Sequence, residues 1–576
     1  MRGELQGVER KEITRAEFLK GAAIGAVGVA LPGVALTAQG AEVTPGTPAK
    51  SVGLSDELIA EAEPLVGVAY PPSARKPVAA SVKSTRKTLD ALRALPLENA
   101  TTPAYIFQPQ GKQPKAGTKI DVRTRKVSNL RPALDDDLAF LSVVELGALL
   151  RAKRISSVEL TKFFLRRLET YGPRLNAVIT MTPDRALRTA AEADRRFAKG
   201  LVQSALQGIP TGVKDLFATL DAPTTWGAAP YRDQHLRYDA AVVERLEAAG
   251  APILAKTSLG ALAYGDVWFG GLTRNPWNPK QGSSGSSAGS AACVAAGLLP
   301  FALGTETLGS IVSPAQRCRI VGLRPTFGRI SKRGAMALSW SMDKVGILAR
   351  SPEDTAVVLG ALAGSDPRDP SAVDRPLTYR PVDSLKGTTI ALVGTEALDE
   401  DDTKGPVSAA AILLRQMGAM LTSATFTNVP DGVSEVLSVE GASAFDDLTR
   451  SGRVDEMKGS LWPPEFRAAM YVTGVDYVQA MRQRTLSMAT FEREFGDADL
   501  ILAPDRAGNL LITTNLTGHP QIYIPLGTDP EGRSFGVSLI GRLYDEGRLV
   551  AAAQALQTKF GAPVTRPDLT LLPTGE

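Results

Sequence analysis

The chain has 576 residues, 44% hydrophobic and 22% charged, with 65 basic against 61 acidic side chains and a formal net charge of +4. That balance belongs to a protein with a substantial core and excludes a disordered polypeptide, and a charge so nearly cancelled argues against a nucleic-acid footprint. Two cysteines, Cys293 and Cys318, and two distant histidines, His235 and His519, exclude a paired Cys/His zinc cage, so any catalytic base is expected to be a lysine or a carboxylate.

Taken in chain order, the first 41 residues are predicted to be an export signal. Charged residues Thr14–Lys20 precede an apolar run, Gly21–Ala38, with small residues at Ala38 and Gly40. The layout resembles a twin-arginine signal in which Ala16 replaces the second arginine. Pro32 and the Ala/Gly content leave the run too short and broken for a stable membrane span. The expected location is therefore periplasmic or extracellular, or cytoplasmic if the signal does not function.

Residues 42–137 are predicted to form a helical extension with linkers. Helical patterns near 54–66 and 73–95 are followed by a Pro/Gly/Lys-rich connector to about Pro132. The body is expected over 138–570. In its core, 138–350, Ser156-x-x-Glu159 suits a capping box, Ala177–Pro183 reads as a strand and Asp184–Lys199 as a helix. Segments of this kind alternate, which predicts an α/β fold around a central mixed sheet. Residues 351–500 are expected to shape a pocket, with a long helical stretch near 463–495, and strands return to the core over 500–560.

Three stretches are candidates for chemistry. In GVKDLF, Lys214 follows an apolar strand, where burial lowers a lysine's pKa and leaves an amine able to accept a proton. Pairing with Asp215 is the plainer alternative. The Gly/Ser tract GSSGSSAGS (282–290) lacks a phosphate loop's Gly-Lys-Ser/Thr ending, but it runs directly into a helix start. In GTETLGSIV (304–312), glycines around Ser310 permit a tight path that points several N–H groups at one spot, as an oxyanion site requires.

Together these stretches resemble the amidase signature family. GSSAGS, GTETLGSIV and CRIVGLRPTFG (318–328) correspond in order to that family's Gly/Ser, nucleophile and tail motifs. LSWSMDKVG (338–346) and NLTGHP (515–520) match its habits downstream. The resemblance implies an amidase signature fold, a central mixed β-sheet covered by helices on both faces, behind the N-terminal helical extension. It implies hydrolysis of a carbon–nitrogen amide bond, with Ser310 as nucleophile, Ser286 as the bridging serine held by a cis peptide, and Lys214 as base. The backbone of Thr307, Leu308, Gly309 and Ser310 would hold the oxyanion. Of two Ser-Ser pairs, Ser283–Ser284 and Ser286–Ser287, the spacing to Ser310 favours the second.

The sequence departs from the family pattern at Glu306 for Asp, Leu308 for Gly, Val312 for Arg and Ala288 for Gly. Leu308 and Val312 leave pocket shape and substrate polarity open. No cofactor or metal is implied. The expected partner is a small-molecule amide, with no nucleic acid; a homodimer stays open. An ester or carbamate hydrolase, a component of a transamidation complex and a catalytically silent binding protein are the alternative readings. The export-like N-terminus argues against the transamidation complex.

Overall fold

The computed structural model describes residues 53–95, 117–393, 405–529, 532–561 and 565–574, so the expected export signal lies outside the described residues. Its centre is an eleven-stranded mixed sheet. In chain order the strands are β1 (Val178–Met181), β2 (Thr211–Lys214), β3 (Ile253–Thr257), β4 (Phe301–Glu306), β5 (Val321–Arg324) and β6 (Lys344–Ala349), then β7 (Thr389–Val393), β8 (Met420–Ala424), β9 (Leu500–Pro504), β10 (Gln521–Thr528) and β11 (Ser534–Gly541). They lie in the order β8-β7-β9-β11-β10-β5-β6-β4-β2-β3-β1. β2 runs parallel to both neighbours, β3 and β4, whereas β6 runs antiparallel to β4.

Every residue of β2, β3, β4 and β6 is buried. Continuous apolar runs such as ILA and FAL are what a strand covered on both faces requires. Lys214, Lys256, Glu306 and Lys344 interrupt those runs at or near strand ends.

Helices cover the sheet, and local signals set several of their starts. The expected capping box forms, with Ser156 and Glu159 bonding each other's backbone, and a second one joins Ser142 and Glu145. Helix α1 (Pro72–Arg93) belongs to the extension. Helix α2 (Ala288–Ala295) has no polar face and is buried along its whole length. Helix α3 (Val312–Cys318) follows the turn that carries Ser310, and α4 (Glu435–Ala444), α5 (Trp462–Ala469) and α6 (Gly474–Phe495) form a helical layer, with α7 (Leu510–Thr517) beyond it.

Two sequence expectations change here. The helical stretch expected over 463–495 is two helices, because Thr473 ends the break at 470–473 by capping α6 through its hydroxyl and the Asp476 N–H. The region expected to shape a pocket also supplies β7 and β8, which extend the sheet beyond β9. The extension packs on the helical layer: α1 lies against α5, and Leu89 and Leu92 join Val433, Val436 and Met481 in a small core.

Candidate active site

β2 and β4 end side by side, and the site is built at that edge. Lys214 is the last residue of β2 and is fully buried. Its Nζ lies 2.8 Å from Ser286 Oγ, 3.0 Å from Thr305 Oγ1 and 3.2 Å from Ser287 Oγ. Asp215, the partner considered from sequence, turns away and pairs with buried Lys256 at 2.8 Å. Among the described residues no carboxylate pairs with Lys214. Burial lowers its pKa to about 7, against the pull of the Asp343 and Glu306 charges, which raise it.

The Gly/Ser tract delivers its second serine pair, not its first, to Lys214. The Gly285–Ser286 peptide is cis. Ser287 immediately precedes α2, and its hydroxyl donates to the Thr305 carbonyl at 3.1 Å. This approach needs the bare backbone of Gly304, since a Cβ there would collide with the Ser287 side chain. Ser283 instead donates to its neighbour's carbonyl, remote from the lysine amine.

Beyond β4 the chain makes a tight turn before α3. The Ser287 N–H donates to the Ser310 carbonyl at 3.3 Å and ties this turn to the serine tract. Among the described residues nothing accepts from the backbone N–H groups of Thr307, Leu308, Gly309 or Ser310. Four unpaired N–H donors at one buried turn are groups of the kind that can receive negative charge. Gly309 adopts φ +87°, with the Leu511 and Ser313 side chains close to where a Cβ would project. Gly309→Ala is therefore expected to strain the turn and lower kcat more than it raises KM, which steady-state kinetics on one amide would show.

Two buried carboxylates brace the turn, and the sequence motifs did not reveal the role of Glu306. Glu306 accepts from Arg324 at 2.6 Å, from Asn515 Nδ2 at 2.9 Å, and from the N–H groups of Ile311 and Val312 at 2.9 and 3.1 Å. These donors, Arg324 foremost, hold its pKa down at about 2 despite burial. Asp343 accepts from the Thr307 hydroxyl at 2.5 Å and from the N–H groups of Leu338 and Ser339. Thr305 and Ser287 were also missed as neighbours of Lys214. The only available signal was their place beside the expected serines.

Thr305 and Asp343 also form the wall of a cavity of about 240 Å³, lined further by Met336, Trp340, Lys332 and Arg368. Leu308 is partly exposed on the turn, while Val312 is buried in the core at the start of α3. His519 is buried and bonds Thr517 and Glu492. Cys293 and Cys318 are buried free thiols. Among the described residues no group of three or more His, Cys, Asp or Glu side chains is placed to hold a metal ion, and no helix is long and apolar enough to cross a membrane.

A profile of the Amidase family matches residues 159–550. The chain belongs to that family, and it is an amide-hydrolysing enzyme. This amidase is similar to one component of the glutamyl-tRNA(Gln) amidotransferase of Anaeromyxobacter sp., with 34% identity over 75% of this chain and 99% of that protein. It is equally similar to the putative amidase AmiD of Mycobacterium tuberculosis, at 34% over 77% of this chain and 99% of the other. Among solved structures, a peptide amidase from Stenotrophomonas maltophilia superposes with a TM-score of 0.67 at 29% identity, covering 74% of this chain and 98% of that one.

Proposed function

We propose that this amidase cleaves a small-molecule amide through an acyl-enzyme on Ser310, with Ser286 relaying the proton and Lys214 as general base. The observation that carries this reading is the buried Lys214 amine, surrounded by three hydroxyls and no carboxylate. A neutral amine has two N–H donors and one lone pair. The Ser287 hydroxyl proton is committed to the Thr305 carbonyl, so Ser287 takes one N–H. Thr305 Oγ1 takes the other, which leaves the lone pair for the Ser286 O–H. Ser286 then accepts the Ser310 proton as Ser310 attacks the carbonyl carbon.

The free N–H groups of residues 307–310 hold the oxyanion of the tetrahedral intermediate; loss of one such donor typically costs about 10²–10³ in rate. Collapse expels the amine, which takes its proton back from Ser286, and water, deprotonated along the same path, releases the acid. The motif resemblance supports these roles, since Lys214, Ser286 and Ser310 each lie in a stretch that resembles one of the family's motifs.

The sign of the pH dependence follows from Lys214. Its neutral form is the active one, so kcat/KM is expected to rise with pH and reach half its plateau near pH 7, where the buried amine loses its proton. A profile flat from pH 5 to 9, on a substrate whose binding does not titrate, would count against Lys214 as the base. Aryl amides and aryl esters assayed side by side would define the carbonyl class.

The likeness to the amidotransferase component favours a second reading, in which the released amine is transferred to an acceptor. Amide turnover by the isolated chain at an undiminished rate without any acceptor would favour hydrolysis. We also propose export through residues 1–41, which cell fractionation of the full-length chain would test.

A further inference from the structure

Glu440 lies on α4 in the helical layer, is buried, and plays no part in the chemistry above. Its carboxylate is nonetheless filled by donors. Oε2 accepts from the Ser339 hydroxyl at 2.6 Å and from the Ser341 N–H at 3.0 Å. Oε1 accepts from the Ser341 hydroxyl at 2.7 Å and from the Tyr477 hydroxyl of α6 at 2.9 Å. Arg484, also on α6 and fully buried, grips the same turn through the Ser341 hydroxyl and carbonyl at 2.7 and 2.9 Å.

That turn, residues 338–343, is what presents Asp343 to the active site. The N–H groups of Leu338 and Ser339 fix Oδ2 of Asp343 at 2.8 and 3.0 Å, while Oδ1 holds the Thr307 hydroxyl. Thr307 opens the donor-rich turn that ends in Ser310. A continuous set of buried hydrogen bonds therefore runs from the helical layer to the oxyanion donors. The links through Ser339, Asp343 and Thr307 are buried and those at Ser341 and Tyr477 partly so, and buried bonds fix geometry most firmly.

We propose that Glu440 is a positioning residue for acyl transfer, acting through Ser339, Ser341 and Asp343 to hold Thr307 and the turn before Ser310 in place. This rests on the acyl-enzyme reading. The helical layer then does more than wall a pocket: it sets the donors that receive the oxyanion. Asp343 supplies a second consequence, since its negative charge is the largest influence holding the Lys214 pKa up against burial.

The test is Glu440→Gln in the full chain, with kcat, KM, thermal melting and the pH profile measured beside Ser310→Ala. Misplacement of reacting groups by about 1 Å can cost about a hundredfold in rate, so partial release of the turn is expected to lower kcat about tenfold, with KM within about twofold of wild type. The acid limb should move to lower pH, because Asp343 is no longer held in place to raise the pKa of Lys214. An unchanged kcat and limb in folded protein, or a rise in KM alone, would overturn the proposal.

Should Glu440→Gln fail to fold, the double variant Ser339→Ala with Ser341→Ala removes the hydroxyl links while keeping the carboxylate, and the same kcat loss and limb shift are expected. Retained turnover in Ser310→Ala would defeat the acyl-enzyme reading itself. A dead Ser310→Ala beside a silent Glu440→Gln would defeat the positioning role alone.

Discussion

Replacing Ser310 by alanine is expected to lower kcat by about 10⁶-fold, the loss seen when a serine hydrolase loses its nucleophile, with the protein's melt unchanged. The reason is local. Ser310 sits at the end of a turn whose N–H groups are free, and its carbonyl is tied to the serine tract by Ser287. Removing one hydroxyl there leaves the turn, the Glu306 brace and the core intact, so folding has no cause to suffer. Residual turnover would come from the oxyanion donors and substrate binding alone. The rates are compared by single-turnover kinetics on an aryl amide, with circular dichroism showing an unchanged fold. Wild-type activity in the variant would place the chemistry elsewhere.

The largest expected effect on stability is at Glu306. Glu306→Ala leaves Arg324, fully buried, without its ion-pair partner, strands the N–H groups of Ile311 and Val312 at the start of α3, and leaves Asn515 Nδ2 only its bond to the Leu511 carbonyl. Breaking one side of a buried pair costs about 3–5 kcal/mol. Denaturant unfolding of wild type and variant measures the loss. Glu306→Gln keeps an acceptor and the side-chain shape, so it should lose less. It should also move the acid limb of the pH profile downward, since the Glu306 charge helps raise the pKa of Lys214. A Glu306→Ala protein within about 1 kcal/mol of wild type would contradict this expectation.

The α/β class was legible because buried strands and amphipathic helices have different periods, and capping pairs such as Ser156 and Glu159 declare their own helix starts. The pairing of Lys214 with Ser286 was legible for another reason: both lie in short motifs whose order and spacing are distinctive, as Ser310 does in the proposed mechanism. What the sequence withheld depends on contacts across long separations. Glu306 reads as a plain departure from Asp until Arg324 and Asn515 are seen against it. Asp343 reads from sequence as a loop-fixing residue near the site, but its partner, the Thr307 hydroxyl, shows only in the fold. Glu440 is more than a hundred residues from Ser310 and shares no motif with it. The break between Met470 and Thr473 separates two helices, and Thr473 marks it by capping the second. Val312, a change that suggested an altered pocket, packs into the core instead.

The measurement that bears most directly on the mechanism is mass mapping of enzyme quenched during turnover of an aryl ester or amide. The expected result is a single acyl adduct on the peptide containing Ser310, absent from Ser310→Ala and accumulating below pH 7 more slowly than above it, as Lys214 becomes protonated. An adduct on a different residue, or steady turnover by Ser310→Ala with no adduct at all, would contradict an acyl-enzyme at Ser310.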